Sequence, residues 1–295
     1  MKLQTIGILS PGDMGHAVGK SLNENGFEVI TCLDHRSQRT HNLAKEGNIQ
    51  DVSPLSSMLS RAELVMSILV PSEAISVANK VAEAIPFTES VPMFVDCNAV
   101  SPQTAQIINH ILTEVGVDFI DGSIIGGPPK DQNYPRFYFS GNDTNILDAL
   151  DGKGIQVRHM GIEIGRASAI KMCYAAGTKG TAALHAALLT AAEALGVSVE
   201  LAEELKFSQA EMYNRMKNQI PSLPITAERW SGEMEEIAAT FDHIGITPEF
   251  HQGAASMFRL LNETPFAQET PETVDKSRTL EDTISIVARL LNTIE

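Results

Sequence analysis

The sequence has few cysteines, few basic residues and no long apolar stretch, and each shortage excludes a class of protein. Its three cysteines are Cys32, Cys97 and Cys173. They lie far apart, with no C-x-x-C spacing and no cluster of histidines nearby, which argues against a disulfide framework and a zinc site. We therefore expect reduced thiols, a cytoplasmic location and no metal ion.

Basic residues number 22 against 37 acidic ones, and the formal net charge is −15. The acidic excess is spread evenly, because residues 1–165 hold 11 basic and 19 acidic side chains and residues 166–295 hold 11 and 18. Proteins that bind nucleic acids or anionic membranes need a concentrated basic surface. We therefore expect a small-molecule substrate as partner, and neither a nucleic acid nor a membrane.

The most apolar part of the sequence, residues 167–197, is interrupted by Lys171, Lys179, His185 and Glu193. A membrane-spanning helix requires about 20 predominantly apolar residues, so no span is expected here. The first four residues lead directly into an apolar run that predicts a strand, and no signal peptide is expected. Apolar residues make up 43% of the sequence, a fraction typical of a globular protein.

Up to residue 163, short apolar runs alternate with helical patterns. Predicted strands cover residues 5–9, 28–33, 64–70, 93–96, 118–120, 137–140 and 155–159. Predicted helices between them cover residues 14–25, 73–85 and 102–115. Strands that alternate with helices of this length imply βαβ crossovers and a mainly parallel sheet.

After residue 165 the sequence predicts only helices. An alanine-rich stretch at 167–195 is followed by helical patterns at 199–218, 229–244, 248–261 and 280–294, with a loop at 262–279. We therefore predict an α/β domain over residues 1–163 and an all-α domain over residues 164–295, joined by the long helix.

A turn with two glycines joins the first predicted strand to the first helix, in the segment G-I-L-S-P-G-D-M-G of residues 7–15. A dinucleotide-binding fold needs a tight turn, a close approach of pyrophosphate to the backbone and close packing of helix on strand. Gly12 and Gly15 meet the last two needs, whereas Ser10 stands where the first glycine is expected. The alternative is an ordinary turn in a flavodoxin-like domain. The helix N-terminus is suited to phosphate, and the predicted cofactor residues are Ser10, Pro11, Gly12, Asp13 and Met14.

The end of the second predicted strand bears on the choice between NAD and NADP. It reads L-D-H-R-S-Q-R over residues 33–39. Asp34 is suited to bind the ribose 2′-hydroxyl of NAD, whereas Arg36, Ser37 and Arg39 are suited to the 2′-phosphate of NADP. Because residues 35–45 contain no acid, we favour NADP over NAD, and a loop of scattered surface charges is the other interpretation.

Lys171 lies one turn into the long predicted helix. A spacing of 3.6 residues per turn puts Tyr174, Ala175 and Thr178 on its face. A lysine at the junction of a nucleotide-binding and a helical domain is suited to exchange a proton with a substrate oxygen while hydride moves. Taken alone, a solvent-facing lysine is the plainer interpretation.

Two further segments favour the catalytic interpretation of Lys171. They are V-D-C-N-A-V-S-P at residues 95–102 and D-G-S-I-I-G-G-P-P at residues 121–129. Each follows a predicted strand, and open α/β sheets bind ligands at the carboxyl ends of their strands. The pair Gly126 and Gly127 lets the backbone approach an anion or a carbonyl group closely.

The sequence resembles the β-hydroxyacid dehydrogenase family, which includes 3-hydroxyisobutyrate and 6-phosphogluconate dehydrogenases. The glycine turn, the D-x-N-x-x-S-P segment, the D-x-x-x-x-G-G segment and the G-x-x-x-G…K helix occur here in the family's order. The match covers the chain from residue 3 to about 200 well, and more faintly to about 250. Each motif is common alone, but the ordered set is specific. The second half is most similar to a phosphogluconate-dehydrogenase-like branch.

This resemblance implies a Rossmann domain that binds a dinucleotide, followed by a helical domain for substrate binding and oligomerisation. It implies that Lys171 is the catalytic general acid/base and that Asn98 lies near the nicotinamide. The loop at Val70 and Pro71 would touch the cofactor ribose. The residues expected at the substrate are Ser123, Gly126, Gly127, Tyr174 and Thr178.

Three positions depart from the family pattern. Ile125 stands where the family commonly has a serine before its glycine pair. Tyr174 stands where the family usually has an asparagine, and it is expected either to donate a hydrogen bond or to pack. The later K-D pair of the family appears as Gly232 and Glu233. The lost polar contacts predict a substrate less anionic than those of the relatives.

The sequence thus predicts an NADP-dependent oxidoreductase that transfers hydride between the cofactor and a hydroxyl- or carbonyl-bearing carbon of a small substrate. The alternatives are an imine or carbonyl reductase on the same fold and a nucleotide-binding protein without turnover. By analogy with the family, we expect a homodimer or homotetramer.

Overall fold

The computed structural model describes residues 3–131 and 133–291. The chain divides into two compact units, Met1–Met172 and Cys173–Glu295. This division falls inside a helix. The functional boundary between residues 163 and 164 stays a prediction.

The N-terminal unit is built on one sheet of eight strands in the order β3-β2-β1-β4-β5-β6-β7-β8. Neighbouring strands are parallel except for β6 and β7, which are antiparallel. The strands are β1 Thr5–Leu9, β2 Glu28–Thr31, β3 Gln50–Asp51, β4 Leu64–Ser67, β5 Met93–Asp96, β6 Phe119–Ile125, β7 Arg136–Ser140 and β8 Gln156–His159. The order reverses between β1 and β4, and open α/β sheets bind ligands at such a switch point.

Helices connect the first six strands, another helix follows β8, and the core lies on both faces of the sheet. The helices are α1 Asp13–Glu24, α2 Gln38–Glu46, α3 Leu55–Arg61, α4 Ala74–Ala84, α5 Pro102–Thr113 and α6 Arg166–Ala175. Successive residues of a strand point to opposite faces. Accordingly, Ile8 belongs to one buried cluster and Leu9 to the other. Burial on both faces explains why the central strands are continuous apolar runs. The expected α/β Rossmann domain with a mainly parallel sheet is confirmed.

Within the described residues of the second unit, every regular element is a helix or a helical turn. A π turn, Ala176–Gly180, leads into its helices, which are α7 Thr181–Ala194, α8 Ser198–Ser208, α9 Ala210–Gln219, α10 Pro224–His243, α11 Glu249–Asn262 and α12 Leu280–Leu291. Trp230 of α10 packs edge-on against Phe258 of α11, with ring centroids 5.4 Å apart. The helix-rich C-terminal part is therefore also confirmed.

The structure differs from the predicted elements in several places. The long helix predicted at 167–195 is interrupted by the π turn, and the helix predicted at 199–218 breaks at Gln209. Strand β6 continues to Ile125, five residues beyond its predicted end. Strand β3 and helices α2 and α3 were not predicted. The predicted end of the last helix, at Ile294, lies outside the described residues.

Within the described ranges, none of the helices combines the length and the apolar character needed to span a membrane.

Candidate functional site

The turn after β1 has a left-handed residue where glycine was expected. Ser10 has φ +58°, and the Gly12 N–H donates to the Ser10 carbonyl at 2.7 Å. Only glycine visits this region without cost, so the serine carries about 1 kcal/mol of strain. The departure from the usual glycine pattern therefore leaves the tight turn intact.

The two glycines after this turn lie in different surroundings, and glycine suits each position for a different reason. A Cβ on Gly15 would lie 3.3 Å from both Ile8 Cγ2 and the Ser10 carbonyl oxygen, so the helix packs closely on the strand. A Cβ on Gly12 would meet only the Ser10 oxygen, at 4.0 Å. Gly12 is the N-cap of α1, and among the described residues no side chain caps this helix. The open space before uncapped N–H groups fits a pyrophosphate, and Pro11, Asp13 and Met14 border it in the sequence.

The segment after β2 forms a second tight turn. The Arg36 N–H donates to the Leu33 carbonyl at 3.0 Å, and His35 has φ +60°. Asp34 lies in this turn, exposed and three residues beyond the end of β2 at Thr31. Asp34 and Arg36 thus belong to the same turn, in which Asp34 is exposed and Arg36 is the last residue.

The positive segment is tied to the glycine turn by an ion pair. Arg39 Nη2 lies 2.5 Å from Asp13 Oδ1, which joins the first turn of α2 to the first turn of α1. Ser37 caps α2, since its hydroxyl accepts the Thr40 N–H at 3.2 Å. The structure therefore brings Arg39 close to the predicted pyrophosphate site, whereas the bond of Ser37 is local to α2.

Asn98 is directed into the protein. Its side chain is 2% exposed, and its Oδ1 accepts the Leu69 N–H. Its amide group donates to Ser67 Oγ at 3.0 Å and to Asp96 Oδ1 at 2.5 Å. The side chain that is expected beside the nicotinamide thus holds the loop after β4 against the end of β5, and its place at the nicotinamide stays a prediction.

This loop continues to the residues expected at the cofactor ribose. Val70 is 40% exposed, whereas Pro71 is buried and begins a 3₁₀ turn, Pro71–Glu73. Because Asn98 holds Leu69, the next residue, Val70, has a fixed position at the carboxyl edge of the sheet.

Because β6 is longer than predicted, Asp121 and Ser123 lie within the strand and not in a loop after it. Both are buried. The Ser123 hydroxyl donates to the Ala167 carbonyl at 2.6 Å, which attaches the first turn of α6 to the sheet. The Ser123 hydroxyl is therefore better placed to attach α6 to the sheet than to contact a substrate carboxylate.

Lys171 is held at the end of the same strand. Its side chain is half-buried, and its Nζ donates to the Ile124 carbonyl at 2.7 Å. The exposed pair Gly126 and Gly127 follows immediately. Gly126 has φ +124°, and a Cβ added there would lie 3.2 Å from the Pro135 Cα. The structure therefore brings the predicted general acid/base to the start of the predicted glycine loop.

Tyr174 and Thr178 belong to the second unit. Tyr174 is 48% exposed, and the exposed Thr178 donates its hydroxyl to the Tyr174 carbonyl at 3.1 Å. The expectation that Thr178 shares a face with Lys171 assumed 3.6 residues per turn. The π turn, Ala176–Gly180, departs from that spacing, so the face argument for Thr178 no longer holds.

Two buried carboxyl groups lie side by side beneath this edge. Asp96 and Asp121 are register partners on β5 and β6. Burial raises the pKa of Asp96 to about 7, and the nearby Asp121 adds to the rise, while hydrogen bonds from Asn98 oppose it. Burial also raises the pKa of Asp121, opposed mainly by hydrogen bonds from Ser168. In the sequence, Asp96 ends one predicted strand and Asp121 directly follows another, and this placement was the signal available.

The second unit contains a buried charged cluster that the sequence did not reveal. Glu233 is 2% exposed and forms ion pairs with Lys179 and with Arg229, the latter at 3.0 Å. Lys179 Nζ also lies 5.1 Å from the ring centroid of Trp230. Although Gly232 stands where the family has a lysine, Glu233 finds a lysine partner on the π turn.

Comparison with known families accounts for most of the chain. Residues 5–151 match the family described as the NAD binding domain of 6-phosphogluconate dehydrogenase, and residues 192–261 match a domain of unknown function (DUF1932).

Two curated relatives are similar to the chain in sequence. An uncharacterized 28.5 kDa protein of Methanothermus fervidus is 26% identical over 88% of this chain and 99% of the relative. L-threonate dehydrogenase of Cupriavidus necator is 25% identical over 66% of this chain and 65% of the relative.

Solved structures share the fold at lower identity. The 3-hydroxyisobutyrate dehydrogenase of Mycobacterium tuberculosis, solved with L-serine, is 17% identical, with a TM-score of 0.65 over 98% of this chain and 99% of the other. A Streptomyces aurantiacus imine reductase is also 17% identical, with a TM-score of 0.55 over the same shares of both chains.

Proposed function

The chain belongs to the β-hydroxyacid dehydrogenase family, and we propose that it is an NADP-dependent oxidoreductase acting on a small substrate. The reaction transfers hydride between the cofactor and a hydroxyl- or carbonyl-bearing carbon. The observation that carries this proposal is the position of Lys171, whose Nζ is 2.7 Å from the Ile124 carbonyl at the carboxyl edge of the sheet. The uncapped start of α1 stands at the same edge.

The residues of the glycine turn hold the cofactor pyrophosphate in this proposal. The backbone N–H groups at the start of α1 donate to the phosphate oxygens, and Gly12 leaves the space that they need. Val70 and Pro71 contact the ribose, and Asn98 acts indirectly by holding that loop. A nicotinamide bound here supplies or accepts the hydride.

The preference for NADP rests on the segment after β2. The start of α2 and the guanidinium of Arg36 are suited to a 2′-phosphate, whereas Asp34 lies in an exposed turn beyond the strand. Arg39 also adds positive charge, but its ion pair with Asp13 already balances part of that charge. Arg36 therefore contributes more to the preference than Arg39.

Lys171 exchanges a proton with the substrate oxygen. In reduction its ammonium donates to the carbonyl oxygen as hydride arrives, and in oxidation the neutral amine accepts the hydroxyl proton. An ammonium has three donors, and the bond to the Ile124 carbonyl fixes where the group stands. The backbone of Gly126 and Gly127 then lies beside the reacting carbon, and the half-exposed Tyr174 remains a predicted substrate contact.

Reduction of an imine or another carbonyl compound is the second candidate. The buried, apolar Ile125 stands at the position where the family grips a carboxylate with a hydroxyl. A site without that hydroxyl suits a less anionic substrate, and the imine reductase described above shares the fold.

We propose that the second unit also mediates assembly into a homodimer or homotetramer. Large apolar side chains are exposed there, among them Leu184, Leu195, Phe207 and Phe250. Exposed apolar surface of this kind is typical of protein interfaces. Light scattering coupled to size-exclusion chromatography measures the oligomeric state, and a monomer contradicts this part of the proposal.

The function is tested with a panel of 2- and 3-hydroxyacids, ketones and cyclic imines, assayed by oxidation or formation of NADPH. Lys171→Met is expected to lower kcat by about 100-fold or more, the range of general acid/base catalysis, with the Kd for NADPH unchanged. Lys80→Met, an exposed lysine on α4, is the matched control. A wild-type protein that binds NADPH but turns over no compound of the panel favours a nucleotide-binding protein without catalysis.

A further inference from the structure

The first N–H groups of helix α6 are capped by side chains from distant strands. The Gly165 and Ser168 N–H groups both donate to Asp121 Oδ2 at 3.0 Å, and the Ala167 N–H donates to Ser140 Oγ at 3.1 Å. Helices are usually capped by the residue that precedes them. Here β6 and β7 supply the caps, so the start of α6 is bound to the sheet.

Asp121 is the centre of this contact. It is 1% exposed and accepts two more hydrogen bonds, from Ser168 Oγ at 2.6 Å and from Ser140 Oγ at 2.9 Å. A buried carboxylate is unfavourable unless it is well hydrogen-bonded. Four donors and the positive end of the α6 dipole meet that requirement. The carboxylate therefore holds three separate segments of the chain together.

Strand β6 also holds helix α6 through Lys171. Ser168 and Lys171 are three residues apart and lie on neighbouring positions of one helix face. Their partners on β6, Asp121 and Ile124, are also three residues apart. A one-residue slip or a rotation of α6 would break the Asp121 bonds and carry the Lys171 side chain away from the Ile124 carbonyl.

We propose that Asp121 is a positioning residue for Lys171. Its carboxylate fixes the start of α6 on β6 and thereby sets where the Lys171 ammonium stands at the carboxyl edge of the sheet. The kinetic consequence rests on the proposed function, whereas the position of the lysine is measurable without turnover.

The position of the lysine is tested by competitive acetylation with acetic anhydride across a pH series, with each lysine quantified by peptide mass spectrometry. Asp121→Asn keeps the side-chain shape but removes the charge and one acceptor. It is expected to change the acetylation rate of Lys171 by at least about threefold and to leave that of Lys80 unchanged, because a lysine released from a fixed hydrogen bond meets the reagent more readily. Asp118→Asn, an exposed aspartate just before β6, is the control and is expected to change neither rate.

A second variant covers the case in which Asp121→Asn does not fold. Ser168→Ala removes one hydroxyl from the Asp121 contact and leaves both backbone donors in place. It is expected to shift Lys171 acetylation in the same direction by a smaller factor. If a folded variant shows the same pH dependence of Lys171 acetylation as the wild-type protein, Asp121 does not position Lys171.

Kinetics separate this inference from the proposed function. With an active substrate, Asp121→Asn is expected to lower kcat by about tenfold or more while the Kd for NADPH stays the same, because only the proton-transfer group moves. An unchanged kcat overturns the positioning role. If Lys171→Met retains full turnover, the proposed function fails, and the acetylation profile still decides whether Asp121 positions the lysine.

Discussion

Helices α1 and α6 both begin against the sheet of the N-terminal unit, but side chains cap the first N–H groups of α6 and not those of α1. At α1 the N-cap is Gly12, no described side chain caps the helix, and the space in front of it is open. At α6 the buried carboxylate of Asp121 and the hydroxyl of Ser140 occupy the corresponding place. A helix N-terminus attracts an anion in either case. The open one is suited to an anion from solution, and the closed one uses an anion of the protein to fix a helix.

The net charge of the chain makes the open start of α1 more important for the binding of an anion. With a net charge of −15, the protein repels anions at long range, although salt screens this repulsion beyond about 8–10 Å. We therefore propose that a phosphorylated cofactor is held by short-range features, namely the start of α1 and the segment with Arg36.

The largest expected effect comes from placing a carboxylate cap at the start of α1, as Asp121 does at the start of α6. Gly12→Asp places a carboxylate at an N-cap whose φ of −77° any residue adopts. We expect the affinity for both NADPH and NADH to fall by about 100-fold or more, because the carboxylate fills the space of the pyrophosphate and repels its negative charge. The same change is expected to stabilise the free protein by a few tenths of a kcal/mol, roughly 0.3 kcal/mol. Calorimetric titration and thermal unfolding measure the two effects.

Gly12→Asn is the matched control, since it caps the helix without a charge. It is expected to weaken cofactor binding less than Gly12→Asp does. Wild-type affinity in both variants would show that the cofactor does not bind at α1.

The next effect concerns cofactor choice. Arg36→Ala is expected to weaken NADPH binding by about tenfold or more while NADH binding changes little, because a charged hydrogen bond to the 2′-phosphate is worth about 1.5–3 kcal/mol. Arg39→Ala is expected to have a smaller effect of the same kind, because Arg39 already pairs with Asp13. Equal losses for the two cofactors would contradict the NADP preference.

The buried carboxyl pair of Asp96 and Asp121 gives a pH-dependent prediction. The pKa of Asp96 is raised from 3.8 to about 7 in the folded protein. Between these values the unfolded chain releases a proton that the folded chain retains, so stability falls as pH rises. We expect Asp96→Asn to remove a slope of about 1 kcal/mol per pH unit between about pH 5 and pH 6.5.

Urea unfolding at a series of pH values measures this slope. Asp118→Asn, at the exposed start of the β6 segment, is expected to retain the wild-type slope. If Asp96→Asn also retains it, the carboxyl group of Asp96 is not protonated in the folded protein near neutral pH.

The smallest expected effect concerns the turn before α1. Ser10→Gly relieves the left-handed strain at φ +58°, offset by the greater freedom of glycine in the unfolded chain. We expect a gain of about 0.5 kcal/mol and unchanged NADPH affinity. A loss of affinity would show that the Ser10 side chain itself contacts the cofactor.

The sequence predicted most of the sheet, because its central strands are buried on both faces and stand out as apolar runs. It did not reveal β3, which has only two residues, both exposed. It ended β6 too early because Asp121, Gly122 and Ser123 look like a turn. Gly122 is needed inside the strand, since a Cβ there would lie 2.8 Å from the Asp96 carbonyl oxygen.

Of the candidate site, local patterns identified the glycine turn and the lysine but not their supports. The cap of α6 joins Asp121 to Ser140 and Ser168, which are 19 and 47 residues away along the chain. Spacing rules describe neighbours within one helix or strand and cannot find such contacts. The π turn likewise has no strong sequence signal, and it departs from the 3.6-residue spacing on which the predicted face of Thr178 rested.

The most direct measurement determines the Kd for NADPH and the kcat side by side for Gly12→Asp and Lys171→Met. The open helix start is proposed to bind the cofactor, and the lysine held against β6 is proposed to move the proton. Gly12→Asp should therefore lose NADPH affinity, whereas Lys171→Met should keep the affinity and lose turnover. Full turnover by Lys171→Met, or unchanged NADPH affinity in Gly12→Asp, would contradict this division of roles.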